Sequence, residues 1–244
     1  MNSNASKVAL VTGAGRGIGK AISIGLAQDG FDVVCAARTQ DQIEAVAQTI
    51  EAAGGQALAV PTDVADYRQT VRMVQAAITR FKRLDVIVVN AGAILERQLI
   101  TESEPFAFAQ TIQVNLIGAY HTIRAAVEHM KARGGQIIVV GSGLGHKVST
   151  GRAAYAASKG GLWMLIQVLA AELRDYGICV NELVPGPVLT DMSPPELSGR
   201  DSTGWRMPEF EWLKRPEDVV PLALMLARNP THGPTGQSFS LMRR

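Results

Sequence analysis

Residues 8–19 read VALVTGAGRGIG: a short run of apolar and β-branched residues, then glycines at 13, 15, 17 and 19 opening a helix-forming stretch. An apolar run of this length without clear alternation is how a strand reads when both faces of its sheet are covered. Glycines in the strand-to-helix turn permit tight backbone geometry. They also let a pyrophosphate approach the amides of a helix N-terminus, where the helix dipole favours negative charge. A plain βα turn requires only one residue with positive φ, so the repeated glycines point to a dinucleotide site. Their spacing is TGxxxGxG rather than GxGxxG.

The pattern repeats outward from this turn. Further apolar runs lie at 31–37 (FDVVCAA), 57–60 (ALAV), 85–89 (DVIVV), 136–140 (QIIVV) and 178–184 (ICVNELV), with a last short strand near QSFSL. Helical patterns separate them, including long ones over about 103–131 and 153–176, and several stop at glycine (Gly30, Gly54, Gly134, Gly177). This βαβα alternation predicts an α/β fold with right-handed crossovers, a doubly wound (Rossmann) sheet sandwiched between helices. The 244 residues suit one such domain, 1–244, with a Pro-rich irregular segment after 184 that includes a substrate lid at about 192–213.

Composition excludes several classes. Lys+Arg total 24 against 22 for Asp+Glu, scattered through the chain, which gives no basic stripe for nucleic acid and no polybasic membrane patch. Two cysteines, Cys35 and Cys179, sit in apolar strand contexts and read as reduced thiols. The start of the chain is polar, and its most apolar helix, GLWMLIQVLAAEL, is broken by Gln167 and Glu172, short of the roughly 20 residues a span requires. The expectation is a cytoplasmic protein. No cluster of residues suggests a metal.

Beyond the glycine turn, the chain carries Asp63-Val64, Asn90-Ala91-Gly92, Asn115, Ser142, Tyr155 with Lys159, and Pro185-Gly186. In order and approximate spacing these resemble the short-chain dehydrogenase/reductase family over about residues 6–240. The resemblance implies a seven-stranded parallel sheet, a nicotinamide cofactor and a homotetramer or homodimer. It implies cofactor contacts from Gly13, Gly15, Arg16, Gly17, Ile18 and Gly19, adenine contacts from Asp63 and Val64, and packing beside the adenine-side ribose from Asn90, Ala91 and Gly92. Asp63 reads equally well as a helix cap. Pro185, Gly186, Val188 and Thr190 resemble the segment that closes over the nicotinamide.

An acidic residue usually ends the second strand when the cofactor ribose carries a free 2′-hydroxyl. Here that strand ends Ala36-Ala37-Arg38. Each of Arg16 and Arg38 alone reads as a solvated arginine. Together, with the acid missing, they favour the 2′-phosphate of NADP(H), with NAD(H) as the alternative.

Tyr155 and Lys159 stand four apart on a helix and share a face. Hydride transfer to or from a carbonyl consumes or leaves a proton at oxygen, and an ordinary phenol, with a pKa of about 10, needs a neighbouring cation to favour its anion. Lys159 is the expected cation, and in the family it also binds the nicotinamide ribose. Ser142 would hold the substrate oxygen, unless it is only a strand-end serine. Asn115 resembles the family's water-holding residue in a proton relay, unless it is a packing or kink Asn.

Substrate choice falls to the loop after Gly92, the loop LGHKVSTGR after Ser142, and the lid. Trp205, Met207, Phe210 and Trp212 read either as an apolar substrate wall or as lid packing, and His146 as a substrate contact or a solvated loop residue. The motif set is most similar to that of 3-oxoacyl-carrier-protein reductases, which use arginines near the active-site mouth to attract an acidic carrier. Arg133 matches one of these, while Tyr176, with Arg174 nearby, stands at the other. The C-terminal SFSLMRR also departs from the family's usual ending. The expected function is NADP(H)-dependent reduction of a 3-oxoacyl thioester or small ketone to a secondary alcohol. The alternatives are an alcohol or sugar dehydrogenase working oxidatively, an isomerase or lyase such as a nucleotide-sugar epimerase, and a non-enzymatic NADP sensor.

Overall fold

The structure is a computed structural model and describes residues 6–193 and 211–242. Strands β1 (Val8–Thr12), β2 (Asp32–Ala37), β3 (Ala57–Pro61), β4 (Val86–Val89), β5 (Gly135–Val140), β6 (Ile178–Val184) and β7 (Ser238–Ser240) form one seven-stranded sheet in the order β3-β2-β1-β4-β5-β6-β7. Every pairing is parallel. Central strands β1, β4, β5 and β6 are buried along their whole length, while β3 and β7 at the edges are partly exposed. The unalternating apolar runs are therefore those with a helical layer on each face.

The helices are α1 (Gly17–Gln28), α2 (Gln40–Ala52), α3 (Tyr67–Phe81), α4 (Pro105–Ile112), α5 (Gly118–Met130), α6 (Ala153–Glu172) and α7 (Val220–Ala227). One core layer joins Leu10, Ile87, Ile137 and Val180 to residues of α3, α5 and α6. The other joins Val11, Val88, Ile138 and Leu183 to α1, α2 and α7. The expected helix over about 103–131 runs from Pro105 to Met130, with a π-helical turn, Gln113–Ile117, between α4 and α5. Beyond α6 the chain tightens into a 3₁₀ turn, Arg174–Tyr176, and ends at Gly177 with φ +65°. Both cysteines are free and buried, and burial pushes the Cys35 thiol up to about 12. Among the described residues no helix is long and apolar enough to cross a membrane.

Strand order reverses between β1 and β4, and a parallel sheet opens a crevice beyond the C-terminal strand ends at such a point. The Asn90 amide spans it, donating to the carbonyls of Thr12 at 3.0 Å and Gly13 at 3.2 Å, while Thr12 Oγ1 accepts from the backbone of Asn90 at 3.1 Å and Ala91 at 3.2 Å. Gly13 has φ +67°, and a Cβ on Gly19 would collide with the Gly13 carbonyl and the Asn90 amide. The start of α1 can sit this close to β4 only without a side chain at 19. Gly19→Ala is expected to cost roughly 1–3 kcal/mol of stability, the usual toll of overpacking, read in denaturant unfolding. An unchanged midpoint would mean that the turn packs differently.

Candidate active site

The glycine turn, the start of α2 and the loops after β3, β4 and β6 enclose a cleft. It is lined by Gly13, Gly15, Arg16, Gly17, Ile18, Arg38, Asp63, Val64, Asn90, Ala91, Gly92 and Thr190, with Ala37, Thr39 and Gln42 at one end. Twelve cofactor-binding candidates thus share one crevice. Arg16, at the N-cap of α1, makes no side-chain cap bond, so the first amides of the helix keep no internal acceptor. That donor set, glycine walls and Arg38 at the far end suit a phosphorylated dinucleotide. Arg16 itself is turned across the cleft mouth onto Asp191 at 2.8 Å, both side chains being well exposed. An exposed pair of this kind is worth about 0–1 kcal/mol and is released cheaply.

Asp63 is not a helix cap. The N-cap of α3 is Asp66, which accepts from the amides of Arg68 and Gln69, while the Asp63 carboxylate accepts from the Ala65 amide at 3.0 Å inside the crevice. Val188 and Thr190 are held in place from below. Leu189 N donates to the Lys214 carbonyl at 2.8 Å, and Lys214 N donates to Pro187 O at 3.0 Å. The Lys214 side chain is fully buried, pairs with Glu211 at 3.0 Å and lies 4.6 Å from the Trp212 ring centroid. Trp212 therefore covers the Lys214 ammonium while its own ring stays partly exposed. Trp205, Met207 and Phe210 lie outside the described residues, as does most of the lid at 192–213.

The catalytic candidates meet beyond the C-terminal end of β5. Ser142 follows that strand, and its hydroxyl accepts from Leu144 N at 3.2 Å and lies near enough to the Tyr155 phenol to favour its anion. Lys159 lies one turn further along α6, with Nζ 5.8 Å from the Tyr155 ring centroid. Asn115 sits in the π turn, buried. Its Oδ1 accepts from Ala93 N at 2.7 Å, and its Nδ2 donates to Ala93 O at 2.9 Å and to Ser158 Oγ at 3.0 Å. The side chain is a clamp between the loop after β4 and α6. The widened helical turn is what aims it inward, and single π turns of this kind recur at functional sites.

The electrostatics differ from the sequence expectation. Lys159 was expected to draw the Tyr155 pKa down; its ammonium lies over the phenol ring, 5.8 Å from the centroid, and donates to the Val140 carbonyl at 2.8 Å. Burial holds the Tyr155 phenol above its ordinary value, with the Ser142 hydroxyl and the charges of Arg152 and Arg97 pulling the other way. Desolvation brings Lys159 down to about 8, and the charge of Glu182 opposes that shift. His146 is exposed, but its Nε2 is engaged, lying 2.9 Å from Glu182 Oε2. Glu182 went unremarked in the sequence reading, although a carboxylate inside the run ICVNELV was a legible signal, since buried polar groups are the informative exceptions.

Arg133 lies before β5, and Tyr176 before β6, at the strand ends opposite the catalytic residues. Six residues of β5 alone place Arg133 roughly 20 Å from Ser142. Within one chain it is not at the active-site mouth, because the parallel sheet separates strand starts from strand ends.

The match to known proteins follows this geometry. The model of the short chain dehydrogenase family matches residues 7–201. The 3-oxoacyl-(acyl-carrier-protein) reductase FabG of Staphylococcus aureus is 37% identical over 190 residues, covering 77% of each chain. The trans-4-hydroxycyclohexanecarboxylate dehydrogenase of Sinomonas cyclohexanicum is 40% identical over 195 residues, 78% of this chain and 75% of that one. Two crystal structures superpose closely. A 3-ketoacyl-ACP reductase from Sinorhizobium meliloti 1021 has TM-score 0.88 and 35% identity, with 96% of each chain covered. A short chain dehydrogenase from Burkholderia cenocepacia J2315 in complex with NADP has TM-score 0.88 and 33% identity over 97% of this chain and 96% of that one. The chain belongs to the short-chain dehydrogenase/reductase family and is an oxidoreductase.

Lys159 binds a proton less readily folded than unfolded, so between pH 8 and about 10.5 the unfolded chain holds more protons and stability gains with rising pH. Lys159→Met lacks this term. The stability of the variant relative to wild type, from denaturant unfolding, is expected to fall as pH is raised from 7 to 10. A pH-independent difference would mean that Lys159 titrates normally.

Proposed function

We propose that this protein is an NADP(H)-dependent carbonyl reductase that converts a 3-oxoacyl thioester or a small ketone to a secondary alcohol. The observation that carries the reading is the meeting of Ser142, Tyr155 and Lys159 beyond the end of β5, in a fold whose crevice ends in Arg38. When bound, the nicotinamide supplies the hydride. Ser142 and the Tyr155 hydroxyl together bind the substrate oxygen, and Tyr155 releases its proton to that oxygen as negative charge develops there. A phenol held above its ordinary pKa by burial is in the acid form at neutral pH, which is the form reduction needs. Arg97, Arg152 and the Lys159 ammonium limit the energy of the resulting phenolate. Asn115 keeps the loop after β4 and helix α6 in register, so that the two hydroxyls converge on one point.

The NADP(H) preference rests on Arg38 at the end of β2, where a carboxylate would serve a free 2′-hydroxyl. An acyl substrate is supported by the carbonyl chemistry of the reductase relatives. The cyclohexane-carboxylate dehydrogenase, a cyclic-alcohol enzyme by name, supports the small-ketone arm equally.

Steady-state assays with NADPH and NADH, using acetoacetyl-CoA beside a panel of ketones, aldehydes and diketones, test the substrate class. Thioester turnover preferring NADPH is expected. Tyr155→Phe should reduce turnover at least a hundredfold, the low end for a lost general acid, with cofactor binding nearly intact. Turnover above a few per cent in that variant would remove the role. Arg38→Ala should weaken NADPH far more than NADH, and equal losses would mean that Arg38 does not meet the 2′-phosphate.

A further inference from the structure

Among the described residues two carboxylates are buried, Glu182 and Glu211. Glu211 has Lys214 as its partner, whereas Glu182, on β6, faces the catalytic helix. Its side chain runs beneath Gly141, where any Cβ would collide with the carboxylate. Gly141 joins Val140, whose carbonyl holds Lys159, to Ser142, so the carboxylate is wedged under the peptide segment that positions two catalytic side chains.

The two carboxylate oxygens are treated differently. Oε2 is held by His146 Nε2 at 2.9 Å and by the Ser238 hydroxyl of β7, and an oxygen taking two donors fits an ionised acid. Oε1 is buried with no hydrogen-bond partner. An unsatisfied buried carboxylate oxygen is expensive and calls for a compensating charge. The buried ammonium of Lys159 has three donors and one acceptor, Val140 O, and it feels the Glu182 charge.

We propose that Glu182 is a positioning residue that acts through Lys159: held by His146 and Ser238, its carboxylate is the interior counter-charge that keeps Lys159 an ammonium. The proposal rests on the reading of Lys159 as part of the catalytic site. His146 gives the pair its outlet to solvent, since its imidazole is 31% exposed and stacks edge-on against Trp163 of α6, with ring centroids 5.5 Å apart. The other charges around the pair are accounted for. Arg97 and Arg152 act on Tyr155, and Lys214 and Glu211 satisfy each other. Removing the Glu182 charge leaves desolvation unopposed, so Lys159 loses its proton at lower pH.

A double-mutant cycle of Glu182→Gln and Lys159→Met, read as thermal unfolding midpoints at pH 7, tests the pairing without any substrate. Glu182→Gln should lower the midpoint of wild type by about 2 °C or more beyond its effect in the Lys159→Met background, the shift expected for a modest coupling in a chain of this size. Additive midpoints would overturn the proposal. In the holoenzyme with NADPH and acetoacetyl-CoA, the alkaline limb of the Glu182→Gln pH profile should move down by about one pH unit, the low end for loss of an opposite charge. Glu182→Asp should restore part of that shift. A Glu182→Gln profile that superimposes on wild type, while Tyr155→Phe is inactive, overturns the Glu182 role alone. Retained turnover in Tyr155→Phe instead removes the catalytic reading.

Discussion

The hydrogen bonds between Thr12 and Asn90 close the molecule at the point where its strand order reverses. Parallel strands β1 and β4 are neighbours in the sheet but separated by two βαβ units in the chain. The backbone ladder pairs them as far as Val11 and Val88, and beyond it the side chains of Thr12 and Asn90 hold the two loops together. Asn90 reaches the carbonyls of the glycine turn and Thr12 reaches the amides beyond β4, so each loop satisfies the exposed backbone groups of the other. The turn can then bring α1 close to β4 with its amides facing the crevice, and the loop after β4 can be handed to Asn115 through Ala93. The crevice and the corner where Ser142, Tyr155 and Lys159 meet both depend on this one arrangement.

Charge in the interior follows a second constraint. Lys159, Glu182, Lys214 and Glu211 are all buried. Lys214 and Glu211 form a direct pair beside the backbone bonds that join Lys214 to Pro187 and Leu189, a structural use of buried charge. Lys159 and Glu182 are not in direct contact; each leans on a neighbour of another kind, a backbone carbonyl in one case, an imidazole and a hydroxyl in the other. Such an arrangement leaves the ammonium free to meet a ligand, which a tight ion pair would forbid, at the cost of keeping an unpaired oxygen in the core.

The fold was legible because its signals are local. The apolar runs of β1, β4, β5 and β6 carry no alternation, the glycines stop the helices, and βαβ order allows few topologies. The π turn at Gln113–Ile117 was not legible, because what Asn115 grips lies on two other elements. The same holds for His146: its sequence neighbours describe a polar loop, and only the folded chain brings it to Glu182, 36 residues away.

By itself, then, the sequence determined the class of fold and named the candidate residues that the structure gathers in one crevice and beyond the end of β5, since these follow from residue type and spacing along single strands and helices. Tertiary structure alone decided where the charges point. It turned Arg16 onto Asp191, gave Lys159 the Val140 carbonyl as its acceptor, and set Arg133 at the end of the sheet away from Ser142. The reason is physical: backbone pattern is fixed by local sterics and hydrophobic period, whereas the orientation and protonation of a charged side chain depend on the burial and partners that distant segments supply.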